Sequence, residues 1–281
     1  MDAPEIMAKS MSVAQPTGKS KALWQYHSQS DRHSQVSCWA VLFDLLRESA
    51  LLRSHVAQGK VYFGVNHSMV DFVNRKKKKL DLVICRPDGA PTGRSFADLA
   101  GDQKVVLTSA QRAELAALPV LLESPVGAVL VALEAKACMT AHSKSLPRLF
   151  DELNSSHQIV HGASNNALSI GMVTVNVADE FISPGFNKQP DPAMRTVISK
   201  HKQPGAALTV MGMVETLPRR TSRSSTGYDG LGVIALRLRN DGVTPVEVHT
   251  AAPAPKPGEI FHYESMIRRM ANEYDSAFAR I

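Results

Sequence analysis

Apolar positions along the chain fall into short blocks that follow two different periods. The longest is V-G-A-V-L-V-A-L-E-A-K-A-C-M, Val126 to Met139, apolar on both alternating faces until Glu134 and Lys136 appear two residues apart. Such a run predicts a central strand covered on both sides. Side chains two apart on a strand point the same way, so Glu134 and Lys136 emerge side by side. K-V-Y-F-G-V-N-H at 60–67, L-D-L-V-I-C opened by Asp81, A-L-S-I-G-M-V-T-V-N at 167–176 and L-G-V-I-A-L-R-L-R at 231–239 read as further strands. Helical spacing appears elsewhere. Cys38, Val41, Leu42, Leu45, Leu52 and Val56 predict one helix from Cys38 to about His55, closed by Gly59. Leu146, Leu149, Phe150, Leu153, His157 and Val160 share a face of a second, with Pro147 in its first turn. Tyr263, Met266, Ile267, Met270, Tyr274 and Phe278 line a last helix near the C-terminus, and residues 194–201 read as a short one.

Between these elements the punctuation sets the organisation. Residues 1–35 are rich in Ser, Gln, Lys and His with little periodicity, which predicts a mobile arm. Residues 86–125 read as a surface insertion. R-P-D-G-A-P-T-G-R is turn chemistry, Thr108-x-x-Gln111 is a capping box, and Pro119 and Pro125 bracket the return to the core. Residues 36–180 then form a core, and 181–281 an extension of strand and helix packed on it. The resulting class is α/β, a mixed central sheet flanked by helices.

Composition narrows the function classes. With 44% hydrophobic and 21% charged residues the chain has an ordinary globular balance, and no apolar stretch is long enough to predict a membrane span. M-D-A-P-E-I-M-A-K lacks the basic and apolar regions of a secretory leader. Cys38, Cys85 and Cys138 are odd in number and without CxxC spacing, which predicts buried thiols in a reducing cytoplasm. A net charge of +6 favours a polyanionic partner. That charge is concentrated at Arg75, Lys76, Lys77, Lys78 and Lys79, directly before Asp81, and at Arg219, Arg220 and Arg223 in a turn-rich segment. Both runs are candidate phosphate contacts, and both are equally the composition of solvated turns.

Several apparent motifs fail on spacing. P-T-G-K-S at 16–20 lacks the earlier glycine and preceding strand of a phosphate loop, and G-A-S-N-N at 162–166 lacks the final glycine of a nucleophile elbow. His157 and His161 have helical ligand spacing but no third ligand nearby in sequence. His67 and Asp71 stand close to the basic run as further candidates.

The pair Glu134 and Lys136 carries more. A carboxylate can hold a divalent ion, and an adjacent ammonium can orient a water and steady developing negative charge. Asp81, on the preceding apolar strand, supplies a second carboxylate that neighbouring strands would bring alongside. The alternative is a structural ion pair at a strand end.

Asp81 followed by Glu134-x-Lys136, with a helix before and a helix and strand after, resembles the PD-(D/E)XK nuclease superfamily over roughly residues 38–178. Leu80 stands where the motif has proline, and the interval between the acids is long enough to hold the insertion. The resemblance implies a restriction-endonuclease-like core of order αβββαβ with a C-terminal strand-helix extension. It also implies a metal-dependent nuclease hydrolysing DNA phosphodiester bonds, of which restriction-type endonucleases are one form. Asp81 and Glu134, with the main chain at Ala135, would hold Mg²⁺ or Mn²⁺. Lys136 would position the attacking water, and Glu48 on the first helix would complete the site, with Asp44 as its alternate. The partner would be DNA, with a homodimer allowed. The second reading is an inactive member of the same fold that binds nucleic acid or a protein.

Overall fold

The computed structural model describes residues 1–17, 22–71, 75–187, 196–222 and 224–281. In chain order the elements are α1 (Ala3–Ser12), β1 (Gln15–Thr17), β2 (Ala22–Trp24), α2 (Arg32–Glu48), α3 (Ala50–Ala57), β3 (Tyr62–Val70) and β4 (Lys77–Pro87). There follow α4 (Phe96–Asp102), α5 (Ser109–Ala117), β5 (Val126–Cys138), α6 (His142–Ala163), β6 (Leu168–Asn176) and β7 (Glu180–Ile182). The chain ends with β8 (Ile198–Lys200), α7 (Gly205–Glu215), β9 (Gly230–Arg237), β10 (Glu247–Val248) and α8 (Tyr263–Ala277).

One mixed sheet has the order β10-β9-β6-β5-β4-β3. β5, β6 and β9 run parallel, and every other pairing in it is antiparallel. The two longest apolar blocks occupy the centre because only central strands are covered on both faces. Every residue of β6 is buried. On β5, Val131, Leu133 and Ala135 join a core built on α2 and α8, while Ala132 faces the opposite layer with Ile159 and Val160 of α6. α7 packs beside α6 against β6.

Several expectations change with tertiary packing. The first residues are not a mobile arm: α1 buries Ile6, Met7 and Met11 against α2. The single helix predicted from Cys38 begins earlier, at Arg32, and breaks at Ser49, whose Oγ accepts the Leu52 N–H at 2.9 Å and so starts α3. α6 starts at His142, one turn before Pro147 would place it, and His142 is fixed there by a 2.9 Å contact from its Nε2 to the Asn176 carbonyl. Within 194–201 the described part is β8, not helix, and residues 194 and 195 lie outside the described residues, as does Arg223.

The 86–125 insertion is anchored as well as exposed. Its Phe96 ring stacks on the fully buried Trp39 at 4.7 Å, and the Trp39 indole N–H donates to the Phe96 carbonyl at 3.0 Å. Losing a buried aromatic of this size costs about 3–5 kcal/mol. The Thr108–Gln111 capping box forms in both directions. β9 is hydrogen-bonded into the sheet along β6, so the C-terminal part is integral to the sheet. The three cysteines are buried and unpaired. No helix among the described residues is long and apolar enough to cross a membrane.

Candidate functional site between splayed strands

The site begins where β4 and β5 part. Their antiparallel pairing runs from Pro87 opposite Val126 to Leu82 opposite Leu133 and stops. β3 stays with β4 as far as Lys77, and β5 stays with β6 as far as Cys138. Asp81, Glu134 and Lys136 lie beyond the last pair, where the strands open. The Ala135 N–H has no strand partner on this side and donates to Asp81 Oδ2 at 3.2 Å. Asp81 thereby bridges the gap that its own strand has left.

Glu134 is nearly fully buried. Its Oε1 meets Lys136 Nζ at 2.7 Å and Lys78 Nζ at 3.4 Å. Its Oε2 is buried without a hydrogen-bond partner among the described residues. Lys136 also lies 3.9 Å from Glu152 Oε2, and Arg148 holds the other oxygen of Glu152 at 2.6 Å. Lys78 turns inward from the basic run. Its ammonium donates to Ser156 Oγ at 2.5 Å, to Ser155 Oγ at 3.2 Å, and to the Glu152 carbonyl.

A cleft of about 260 Å³ opens over this cluster. Asp81 and Lys136 line it from the sheet, Glu152 and Arg148 from α6, Asp31 and His33 from the start of α2, and Tyr26 from the loop between β2 and α2. Glu134 lies behind this lining rather than in it. Asp31 occupies the N-cap position of α2, but its carboxylate makes no capping hydrogen bond.

The electrostatics follow from burial in a crowded charge cluster. Burial, then the Glu134 charge, pushes the Asp81 carboxyl up to about 6, against the pull of Lys136 and the Ala135 N–H. For Lys136, burial works against the charged form, but Glu134 and Asp81 outweigh it and hold the ammonium above its usual range. Lys78 is held below its usual range by burial, with repulsion from Lys136 opposing the attraction of Glu134. Burial and then Lys136 lower His33 to about 4, so it is neutral near pH 7.

A pH signature follows. The folded-state pKa of Asp81 lies above the ordinary carboxylate value, so its proton is held more tightly in the folded chain than in the unfolded one. Its contribution to stability is therefore present at low pH and lost as pH rises from about 4 to about 6. Without added metal, the melting temperature of the parent should fall across that window relative to Asp81→Asn. Parallel curves for the two proteins would refute the assignment.

The other candidates lie apart from this cluster. Glu48 is exposed at the far end of α2, whose N-terminal end meets the cleft; the helix rises about 1.5 Å per residue, so the separation is many ångströms. α2 ends at Glu48, and Ser49 caps α3 directly after it, so the helix does not carry Glu48 to the site. Asp44 is fully buried but structural. It accepts the Asp2 and Ala3 N–H groups at 3.0 Å and the Tyr263 hydroxyl at 2.8 Å. Asp71 is buried against α6, where a Cβ built on Gly162 would meet its Oδ1 at 2.4 Å. His67 stays on the β3 edge strand. Arg75, Lys76, Lys77 and Lys79 are exposed around the hairpin that leads into Asp81.

Arg220 is not a surface cation. Its guanidinium is buried, 3.5 Å from Asp229 and 3.3 Å from the Ala167 carbonyl, at the opposite end of the sheet. Arg219 is exposed at that same end, with its guanidinium over the Phe261 ring. His157 and His161 are buried, and neither pairs with a third ligand: His157 meets Asn154 at 2.9 Å and His161 meets Asp229 at 3.3 Å.

Among the described residues no group of three His, Cys, Asp or Glu side chains is arranged to hold a metal ion. Asp81, Asp31 and Glu152 are the acidic residues of the cleft lining, with Glu134 behind it; Glu152 is paired with Arg148, and Asp81 and Glu134 sit together where the strands part. Asp31, His33 and Glu152 of the cleft escaped the sequence reading, and Lys78, which pairs with Glu134 behind it, was read only as one phosphate contact of the basic run. Lys78 was hidden in a cationic run, and Asp31 and His33 precede the apolar periodicity by which the helix is recognised. The spacing of Glu152 on α6, between Leu149 and Leu153, gave the one available signal of a residue close to the sheet. No protein-family model, curated protein or solved structure matches the chain.

Proposed function

We propose that this cleft is the site of a metal-dependent phosphodiesterase acting on DNA, built on the restriction-endonuclease-like plan that the sequence resembles. The observation that supports this most is the junction of Asp81, Glu134 and Lys136 where β4 and β5 separate, with Glu134 Oε2 buried and unpartnered. A buried carboxylate oxygen lacking a partner is costly, and a cation would satisfy it. The raised proton affinity of Asp81 fits a donor set that gains a positive charge when loaded.

In this reading Asp81, Glu134 and the main chain at Ala135 hold Mg²⁺, with Mn²⁺ as a substitute. The ion would supply charge neutralisation at the scissile phosphate and a more acidic bound water. Lys136 orients the attacking water and stabilises negative charge that develops on the phosphate. Lys78, tied down by Ser155 and Ser156, holds Glu134 in place and acts as a positioning residue. Glu152 in turn steers Lys136. Neutral His33 on the cleft wall leaves the approach free of a further fixed charge.

The exposed cations of the β3–β4 hairpin supply the approach for a phosphate backbone. Replacing Lys76, Lys77 and Lys79 with glutamine, while sparing the inward Lys78, should weaken DNA binding and reduce its salt slope by about 1 per residue removed. An unchanged slope would make these lysines merely solvated side chains around the start of β4. The direct test of the activity is incubation with plasmid and linear DNA in Mg²⁺, Mn²⁺ or EDTA. Cleavage that EDTA abolishes is expected, and no cleavage in either metal would refute it.

One observation favours the second reading, an inactive fold that binds nucleic acid or protein. Two lysines already neutralise Glu134, and among the described residues no third acidic side chain completes a metal-holding group with the pair. DNA retention without metal-dependent turnover would support that reading.

A further inference from the structure

A second cleft, of about 270 Å³, lies at the opposite end of the sheet, where β6 and β9 begin. Arg219, Arg220, Arg269, Thr221, Asp229 and Glu273 contribute to its lining. These charges do not balance locally. Asp229 is already committed: it accepts the Ser169 N–H at 2.8 Å, lies 3.3 Å from His161 Nε2, and pairs with Arg220 at 3.5 Å. Arg220 is therefore a buried strut that shapes the floor, with further bonds to the Asn165 and Ala167 carbonyls.

Arg219 and Arg269 differ from it. Among the described residues neither guanidinium has a carboxylate within ion-pair distance. Arg219 is exposed and lies over the Phe261 ring with 5.7 Å to its centroid, which fixes its direction without neutralising it. Arg269 is partly buried on α8. Its proton affinity is lowered first by burial and next by the charge of Arg219, with Glu273 opposing. Two like charges thus share one cleft, with Glu273 near Arg269 but, among the described residues, in ion-pair contact with neither. Beside them the Thr221 and Ser222 N–H groups donate to Ser225 Oγ at 3.2 and 3.1 Å. Thr221 itself is exposed and lines the cleft.

We infer that this second cleft binds the terminal phosphate of a small ligand, with Arg219 and Arg269 gripping the dianion and Thr221 donating at its edge. Planar guanidinium groups match phosphate oxygens two at a time, and two of them match the charge of a phosphomonoester. The exposed Glu273 on one side would repel a long polyanion running across the cleft and leaves a compact anion favoured. This inference is independent of the hydrolase proposal, because no residue is shared between the two clefts.

The test uses the full chain and calorimetric titration with inorganic phosphate, a 5′-phosphorylated mononucleotide and a short single-stranded oligonucleotide lacking a terminal phosphate. Ionic strength is held constant with chloride. Phosphate and the mononucleotide should bind and raise the melting temperature. Both effects should weaken at least tenfold in the double variant Arg219→Gln, Arg269→Gln, whose unliganded melting temperature should stay near that of the parent. Arg269→Lys keeps the charge but loses the fork, and should weaken binding less than the double variant. Absence of phosphate binding, binding by the oligonucleotide alone, or equal binding by parent and double variant would each overturn the inference.

Discussion

Glu134→Gln is expected to remove metal binding and bring DNA cleavage to background, while Lys136→Ala removes cleavage and leaves metal binding largely intact. The difference arises because a carboxylate is a ligand for a hard cation and an ammonium is not. Glutamine keeps the size of Glu134 but cannot supply the negative oxygen that now lies buried without a partner. Lys78 keeps its bonds to Ser155 and Ser156 in that variant, and Lys136 keeps Glu152 nearby, so neither cation is stranded. The fold should therefore survive. If the pair were only a structural bridge, either change would break a buried ion pair, a loss of typically about 3–5 kcal/mol. Mn²⁺ titration with thermal melts of parent and both variants distinguishes the cases. A large stability loss in both variants, with no metal bound by the parent, would defeat the catalytic assignment.

Asp44→Ala should instead be a stability variant, losing about 3–5 kcal/mol. Asp44 is buried and accepts two main-chain N–H groups at the start of α1, the Tyr263 hydroxyl of α8, and an ion pair from Arg47 at 3.3 Å. Its removal leaves the main-chain N–H groups and the Tyr263 hydroxyl unsatisfied, while Arg47 keeps Asp2 and Glu114, and it loosens α1 from α2 and α8 together. Glu48→Ala, on the exposed end of the same helix, should change stability by less than about 0.5 kcal/mol and leave any cleavage unchanged. Chemical denaturation of the two variants checks both values. An inert Asp44→Ala would mean that the α1 anchor contributes nothing, and loss of cleavage in a folded Glu48→Ala would return Glu48 to the site.

The candidate site was legible to the extent that its chemistry sits on strands. Asp81, Glu134 and Lys136 could be picked out because charged residues interrupt blocks that are otherwise apolar, and an unpaired charge in such a place is unfavourable. Lys78 could not be separated from Lys76, Lys77 and Lys79, because composition cannot tell which lysine of a run turns inward. Likewise Arg219 and Arg220 read alike as neighbours in a basic segment, yet one is exposed and the other is buried against Asp229. The acid on the first helix was sought at Glu48, whereas the helix presents Asp31 and His33 of its N-terminal end to the cleft.

The sequence by itself determined the α/β class, the positions of β3, β5, β6 and β9, the amphipathic faces of α6 and α8, and the Thr108 cap; β4 was placed from Asp81, whereas it begins at Lys77 within the basic run. Those features depend on periodicity and on local hydrogen bonding, both written in neighbouring residues. Only the tertiary structure decided the strand order, the incorporation of β9 into the sheet, the burial of α1, and the point at which β4 and β5 separate. Each of those depends on contacts between segments distant in the chain. Asp44 holds α1 from 41 residues away and the Asp81 carboxylate meets the Ala135 N–H across 54, separations that no local pattern encodes.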